Sequence, residues 1–206
     1  MYSLLSVQFI FFFAYSFIAI ILLVLIPGNV FVKQTRIKFS LLSEFVISAA
    51  VGSALLVSLG FLLGFANLRF LTYFYGAFAV IFWIYKKYWK GFRISLTKPY
   101  LYALTIITVG SFLQLVSTFL FNVMKTDGLS YCCTMVSDYL YFAALSQELV
   151  ERVPPYEPGL YGVVVHNYHY LSNLFIAEIS RIFFIPININ IDFLQICQWL
   201  LLTVTV

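Results

Sequence analysis

Three stretches of this chain, residues 4–26, 45–68 and 99–121, contain no charged side chain at all. Each exceeds the roughly 20 apolar residues that an α-helix needs to cross a hydrocarbon core of ~30 Å. In lipid every backbone N–H and C=O must be bonded within the chain, which confines such runs to helices. Applied along the whole sequence, the same length test marks residues 7–26, 41–65, 68–85 and 99–121. A polar stretch follows, then a short apolar helix at 170–185 and a last segment at 191–206. Pro27-Gly28 is expected to stop the first helix. The expected fold is all-α and integral to the membrane: a polytopic bundle of about six transmembrane helices with a short amphipathic surface helix outside. Three regions result: a four-helix membrane region at 1–121, an extracytoplasmic loop at 122–169, and the start of further membrane helices at 170–206.

Composition agrees, with 63% hydrophobic residues, 10% charged and a mean hydropathy of +0.98. Soluble domains run at about 45–50% apolar and ~25% charged. Disorder, collagen-like repeats and nucleic-acid binding each need far more polar or basic sequence, so no nucleic-acid partner is expected. The 23 Phe, 15 Tyr and 3 Trp suit a chain whose rings sit at lipid headgroups. Three cysteines make no disulfide framework, and no Cys/His spacing suggests a metal or other cofactor. The neighbours Cys132 and Cys133 read as small apolar residues. The N-terminus lacks a basic n-region and its apolar run is too long for a signal peptide, so it reads as a retained span.

The charges orient the spans. Lys33, Arg36 and Lys38 lie between the first and second, and Lys86, Lys87, Lys90, Arg93 and Lys98 between the third and fourth. Positive loops stay cytoplasmic, so strict alternation puts eight of the twelve basic residues on one side. The chain is then a multi-pass protein of the cell membrane with its N-terminus outside, along with Arg69 and the 122–169 segment. If the short helix crosses, Arg181 falls near the cytoplasmic side. Glu44 is expected to snorkel to that surface from one turn inside the second span. Gly60 and Gly64, extended by Ser48, Gly52, Ala50 and Ala54, form a low-volume face. It reads as close helix contact within the chain or, alternatively, as a face for helix–helix self-association.

Five of the eight acids, Asp127, Asp138, Glu148, Glu151 and Glu157, gather in the outward segment. Residues 137–152 fit a helix, with Ser137 as N-cap, Leu140, Ala144, Leu145 and Leu149 at helical spacing, and Pro154-Pro155 as the stop. Asp138 has two readings. It is a first-turn acid favoured by the helix dipole, or a general base at the membrane–water boundary. Glu151 and Arg152 read as a solvated helix end, and Glu157 lies in a Pro-flanked turn. His166 and His169 are the only histidines, three apart before an apolar helix and surrounded by Tyr161, Tyr168 and Tyr170. Either they bind phosphate or sugar oxygens, or the cluster is an aromatic belt. Without a nearby acid they make a weak metal pair.

The stretches SDYLYFAALSQELVERVPPYEP and HNYHYLSNLFIAEISRIFFIP carry a recognisable order: an outward acid, a surface helix, a Pro-Pro-x-x-Pro turn, then a Tyr/His cluster opening the next helix. This order resembles the GT-C-type multi-spanning membrane glycosyltransferases, the dolichyl-phosphate-mannose-protein mannosyltransferase-like group, over about half the chain. The resemblance implies sugar transfer from a polyprenyl-phosphate donor to an extracytoplasmic acceptor. Asp138 maps to the loop acid, and His166, His169, Tyr168 and Glu157 are candidates for substrate binding. Two departures stand beside it. Asp138 follows a fourth span rather than the first, and the chain ends inside an apolar run at Val204-Thr205-Val206, as an N-terminal fragment would. The alternative function is a non-catalytic membrane scaffold or subunit of a cell-envelope complex.

Overall fold

The computed structural model describes residues 7–37, 39–88, 122–125, 128–131, 136–160, 162–165, 170–187 and 190–191, with seven helical positions between 101 and 113. The described chain is mostly helical. Two helices are long and apolar enough to cross a membrane, Ala14–Gln34 and Leu41–Phe65, each with a mean hydropathy of 2.3.

The first rod does not stop at Pro27-Gly28. It runs as α1 (Val7–Ile20), a π-helical turn (Ile21–Leu25) and α2 (Ile26–Gln34), and Leu25 and Ile26 at the junctions are both right-handed helical. A proline inside a helix removes one donor, and its ring crowds the carbonyl four residues back, here that of Leu23. The wide turn answers this locally. The Ile26 N–H reaches back to the Ile21 carbonyl, so the backbone opens just before the proline and the helix continues.

α3 (Leu41–Phe65) matches its expected bounds, and its N-cap Ser40 accepts the Ser43 N–H at 3.2 Å. Its stripe of Ser48, Gly52, Leu56, Gly60 and Gly64, one residue every four, is buried. A β-carbon added to Gly28 would lie 1.8 Å from the Ser48 carbonyl oxygen, and one on Gly52 would lie 1.9 Å from that of Val24. The small residues therefore let α2 and α3 touch backbone to backbone, which is the reading of contact within the chain. Ala50 and Ala54 fall on the exposed side.

A 3-10 turn (Arg69–Leu71) leads into α4 (Thr72–Tyr85), which returns along α2 and the π turn. At its far end Trp83 Nε1 donates to Asn29 Oδ1 at 3.0 Å, Asn29 Nδ2 donates to Glu44 Oε1 at 2.8 Å, and Lys33 Nζ lies 2.7 Å from the same carboxylate. Glu44 thus does not snorkel free. It ties α2, α3 and α4 together at the end where the basic residues cluster.

Of the segment expected at 99–121, the positions seen are helical and exposed, and the remainder lies outside the described residues. After it, β1 (Asn122–Lys125) and β2 (Gly128–Tyr131) pair antiparallel with Lys125 opposite Gly128. This hairpin had a sequence signal in Asp127-Gly128, read above only as polar loop. α5 (Val136–Glu151) and α6 (Leu171–Phe183) complete the described elements. α5 starts at Val136, so Ser137 falls within its first turn. Leu145 and Leu149 are fully buried, but Leu140 and Ala144 of the expected face are exposed, because α6 covers a stripe that includes Ser146 instead.

Candidate functional site

The end of the bundle away from Lys33 and Glu44 is closed by α5 and α6, and this is where the polar chemistry gathers. The two helices run parallel. Asn173, early in α6, donates to the Phe142 carbonyl and to Ser146 Oγ, both at 3.1 Å. Farther along, Arg69 joins the Val150 carbonyl of α5 (3.3 Å) to Glu178 of α6 (2.6 Å). Both helices therefore direct their N-terminal ends the same way. Between them Leu145, Leu149, Leu174 and Ala177 form a dry seam, with Val57 and Phe61 of α3 packed against it.

α6 is short for a span. Its 13 residues reach about 20 Å at 1.5 Å each, short of a ~30 Å core. It packs against Leu56 to Phe61 of α3 and against Ala19 to Val24 of the first rod, and Arg181 meets Arg69 there. The cause is Glu178, which is 0% exposed. Its carboxylate takes Arg69 Nε at 2.6 Å and an Arg181 guanidinium N–H at 2.8 Å. Arg181 also donates to the Arg69 carbonyl at 3.2 Å and to the Thr72 hydroxyl, and its guanidinium lies 4.8 Å from the centre of the Tyr73 ring. Two guanidinium groups thus share one buried carboxylate, and a buried charge is tolerated only when paired and hydrogen-bonded in this way.

Small residues make the room. A β-carbon on Gly60 would stand 2.7 Å from Glu178 Oε1, and one on Gly64 would stand 2.6 Å from the Val153 side chain. Val153 starts the loop that follows α5. There Val165 N–H bonds the Pro155 carbonyl (3.0 Å) and Glu157 N–H bonds that of Val163 (2.7 Å), so residues 155–165 double back as a narrow turn. Arg152, beside Glu148 at 3.4 Å and Glu151 at 3.5 Å, stacks over Tyr156 at 4.2 Å. The partly exposed end of α5 is thereby the solvated ion cluster its sequence suggested. Past the loop, Tyr170 rests against Phe61 with ring centres 6.4 Å apart, and burial pushes its phenol above the ordinary value.

Of the expected site residues, Asp138 stands in the first turn of α5, one turn before Phe142; its side chain lies outside the described residues. His166, Tyr168 and His169 also lie outside them, in the four residues that join buried Val165 to Tyr170. Glu157 is half-buried beside Tyr156, past the C-terminal end of α5. From Asp138 to Arg152 the helix advances about 20 Å, so Glu157 and Asp138 belong to opposite ends of α5. Among the described residues no three His, Cys, Asp or Glu side chains converge as a metal site requires.

The Arg69, Glu178 and Arg181 cluster escaped the sequence reading. Its signal was an acid and a base three apart inside a short apolar helix, where ionisable residues mark either function or a buried pair. No protein-family model, curated protein or solved structure matches this chain.

Proposed function

We propose that the chain is a multi-pass cell-membrane protein, N-terminus outside, that takes part in sugar transfer from a polyprenyl-phosphate donor to an extracytoplasmic hydroxyl acceptor. The parallel packing of α5 and α6 carries this reading. It turns the start of both helices to one side, with Asp138 in the first turn of α5 and the His166, Tyr168 and His169 segment directly ahead of α6. Two helix N-termini on one side favour an anion such as a donor phosphate. Asp138 takes the acceptor hydroxyl proton as that oxygen bonds the anomeric carbon. The bond from that carbon to the phosphate oxygen breaks, and polyprenyl phosphate leaves with the electron pair. His166, His169 and Tyr168 donate to the phosphate oxygens. Glu157, at the other end of α5, stands apart from this group.

The test uses membranes bearing the chain and a polyprenyl-phosphate donor with a radiolabelled sugar. Asp138→Asn abolishes transfer while the protein accumulates in the membrane at the normal level, and His166→Gln with His169→Gln weakens donor binding. Undiminished transfer by the Asp138 variant removes its role.

A further inference from the structure

At the opposite end of the bundle, α2, α3 and α4 leave an open groove of about 240 Å³. Its mostly apolar lining offers few of the roughly two to four polar partners an ordered water needs, so a hydrocarbon segment suits it. The walls are mostly apolar, with Pro27, Val30, Leu55, Ala79 and Phe82 among them and Gln34 as the polar exception. Along α4 the groove extends from Tyr75 to Phe82, about 10 Å at the helical rise. Its mouth is cationic. Lys86 Nζ lies 5.7 Å from the centre of the Phe82 ring, itself a groove wall, and 5.6 Å from that of Tyr85. Lys87 follows, and Arg36 closes α2 at the same end; all three are exposed. Among the described residues none of the three has an acidic partner, because the one carboxylate of that end, on Glu44, is held by Lys33 and Asn29. Lys87 (φ 54°) and Arg36 (φ 59°) both take the left-handed conformation that ends a helix, where glycine is the usual residue. Basic residues stand there at a local conformational cost.

From the apolar trough and its unneutralised basic mouth we infer that this groove seats one anionic phospholipid, an acyl chain lying along α4 and the headgroup phosphate held by Lys86 and Lys87. The charge complements an anionic leaflet, where each Lys or Arg near the surface contributes about 1 kcal/mol. The inference concerns the end remote from Asp138 and stands independently of the transfer reaction.

Native mass spectrometry of the full chain, titrated with phosphatidylglycerol or phosphatidylcholine of identical acyl chains, tests it. Phosphatidylglycerol binds more tightly, and Lys86→Ala with Lys87→Ala reduces its affinity roughly thirty-fold while weakening phosphatidylcholine, whose choline cation offsets its phosphate, much less. Val30→Trp fills the trough and reduces the retention of phosphatidylglycerol, with an unchanged circular-dichroism spectrum showing that the bundle still folds. Because a filled trough can unsettle the bundle, Phe82→Ala, which removes a wall without adding bulk, also lowers affinity. Equal binding of the two lipids overturns the headgroup site. A charge preference that survives both groove variants overturns the seat for the acyl chain.

Discussion

Glu178 is the residue on which the closed end depends. With the carboxylate removed, two buried guanidinium groups face each other without compensation, and breaking one partner from a buried ion cluster costs about 3–5 kcal/mol. Glu178→Gln is therefore expected to lower the thermal midpoint of the detergent-solubilised protein strongly, followed by circular dichroism. Lys33→Ala, which breaks the pair with Glu44 at a 30% exposed lysine, is expected to cost under about 1 kcal/mol in the same assay. Equal losses from the two would contradict the different burial of the clusters. The sequence showed Glu178 and Arg181 on one helix, but their partner Arg69 is 109 positions away. Span-finding averages hydropathy over a window, and averaging hides a lone acid among apolar neighbours. The acids between 127 and 157 were conspicuous because their surroundings in sequence are polar, and conspicuousness reflects setting more than role.

At the scale of elements, contact between α2 and α3 depends on glycine. Gly52→Ala drives a methyl group into the Val24 carbonyl, a backbone group that no rotamer change can clear. The two helices must separate, at a cost of at least the 1–3 kcal/mol typical of overpacking. Gly110→Ala, in a helix with nothing within 4 Å of the new β-carbon, is expected to be neutral or to stabilise by up to ~1 kcal/mol. Chemical denaturation of both variants distinguishes a packed glycine from a tolerated one. Element type and extent were largely legible: α3 lies where its uncharged run placed it, and α5 ends before Pro154-Pro155. The passage through Pro27 was not, since a proline is read as a stop unless the turn before it can widen, and that widening has no sequence mark. Nor did periodicity reveal which face of α5 is buried, because α6, sitting on it, determines that choice.

As a whole the molecule is polarised, with exposed basic residues at one end and the α5 and α6 cap at the other. Single cysteines at Arg36 and Leu160, in a background lacking Cys132, Cys133 and Cys197, are expected to react with a membrane-impermeant maleimide from opposite sides of a sealed vesicle. Labelling of both from one side would refute the proposed orientation. The charges between the first and second spans pointed to this gathering of basic residues, whereas the meeting of Arg181 with Arg69 depends on tertiary packing that charge placement does not encode. The cap also has a history written into it. Arg69 leaves the ribosome 109 residues ahead of Glu178, which at ~5–20 residues per second is roughly 5–20 s of synthesis. Throughout that interval its guanidinium lacks the carboxylate it pairs with in the finished fold, and α6 is the element that supplies it.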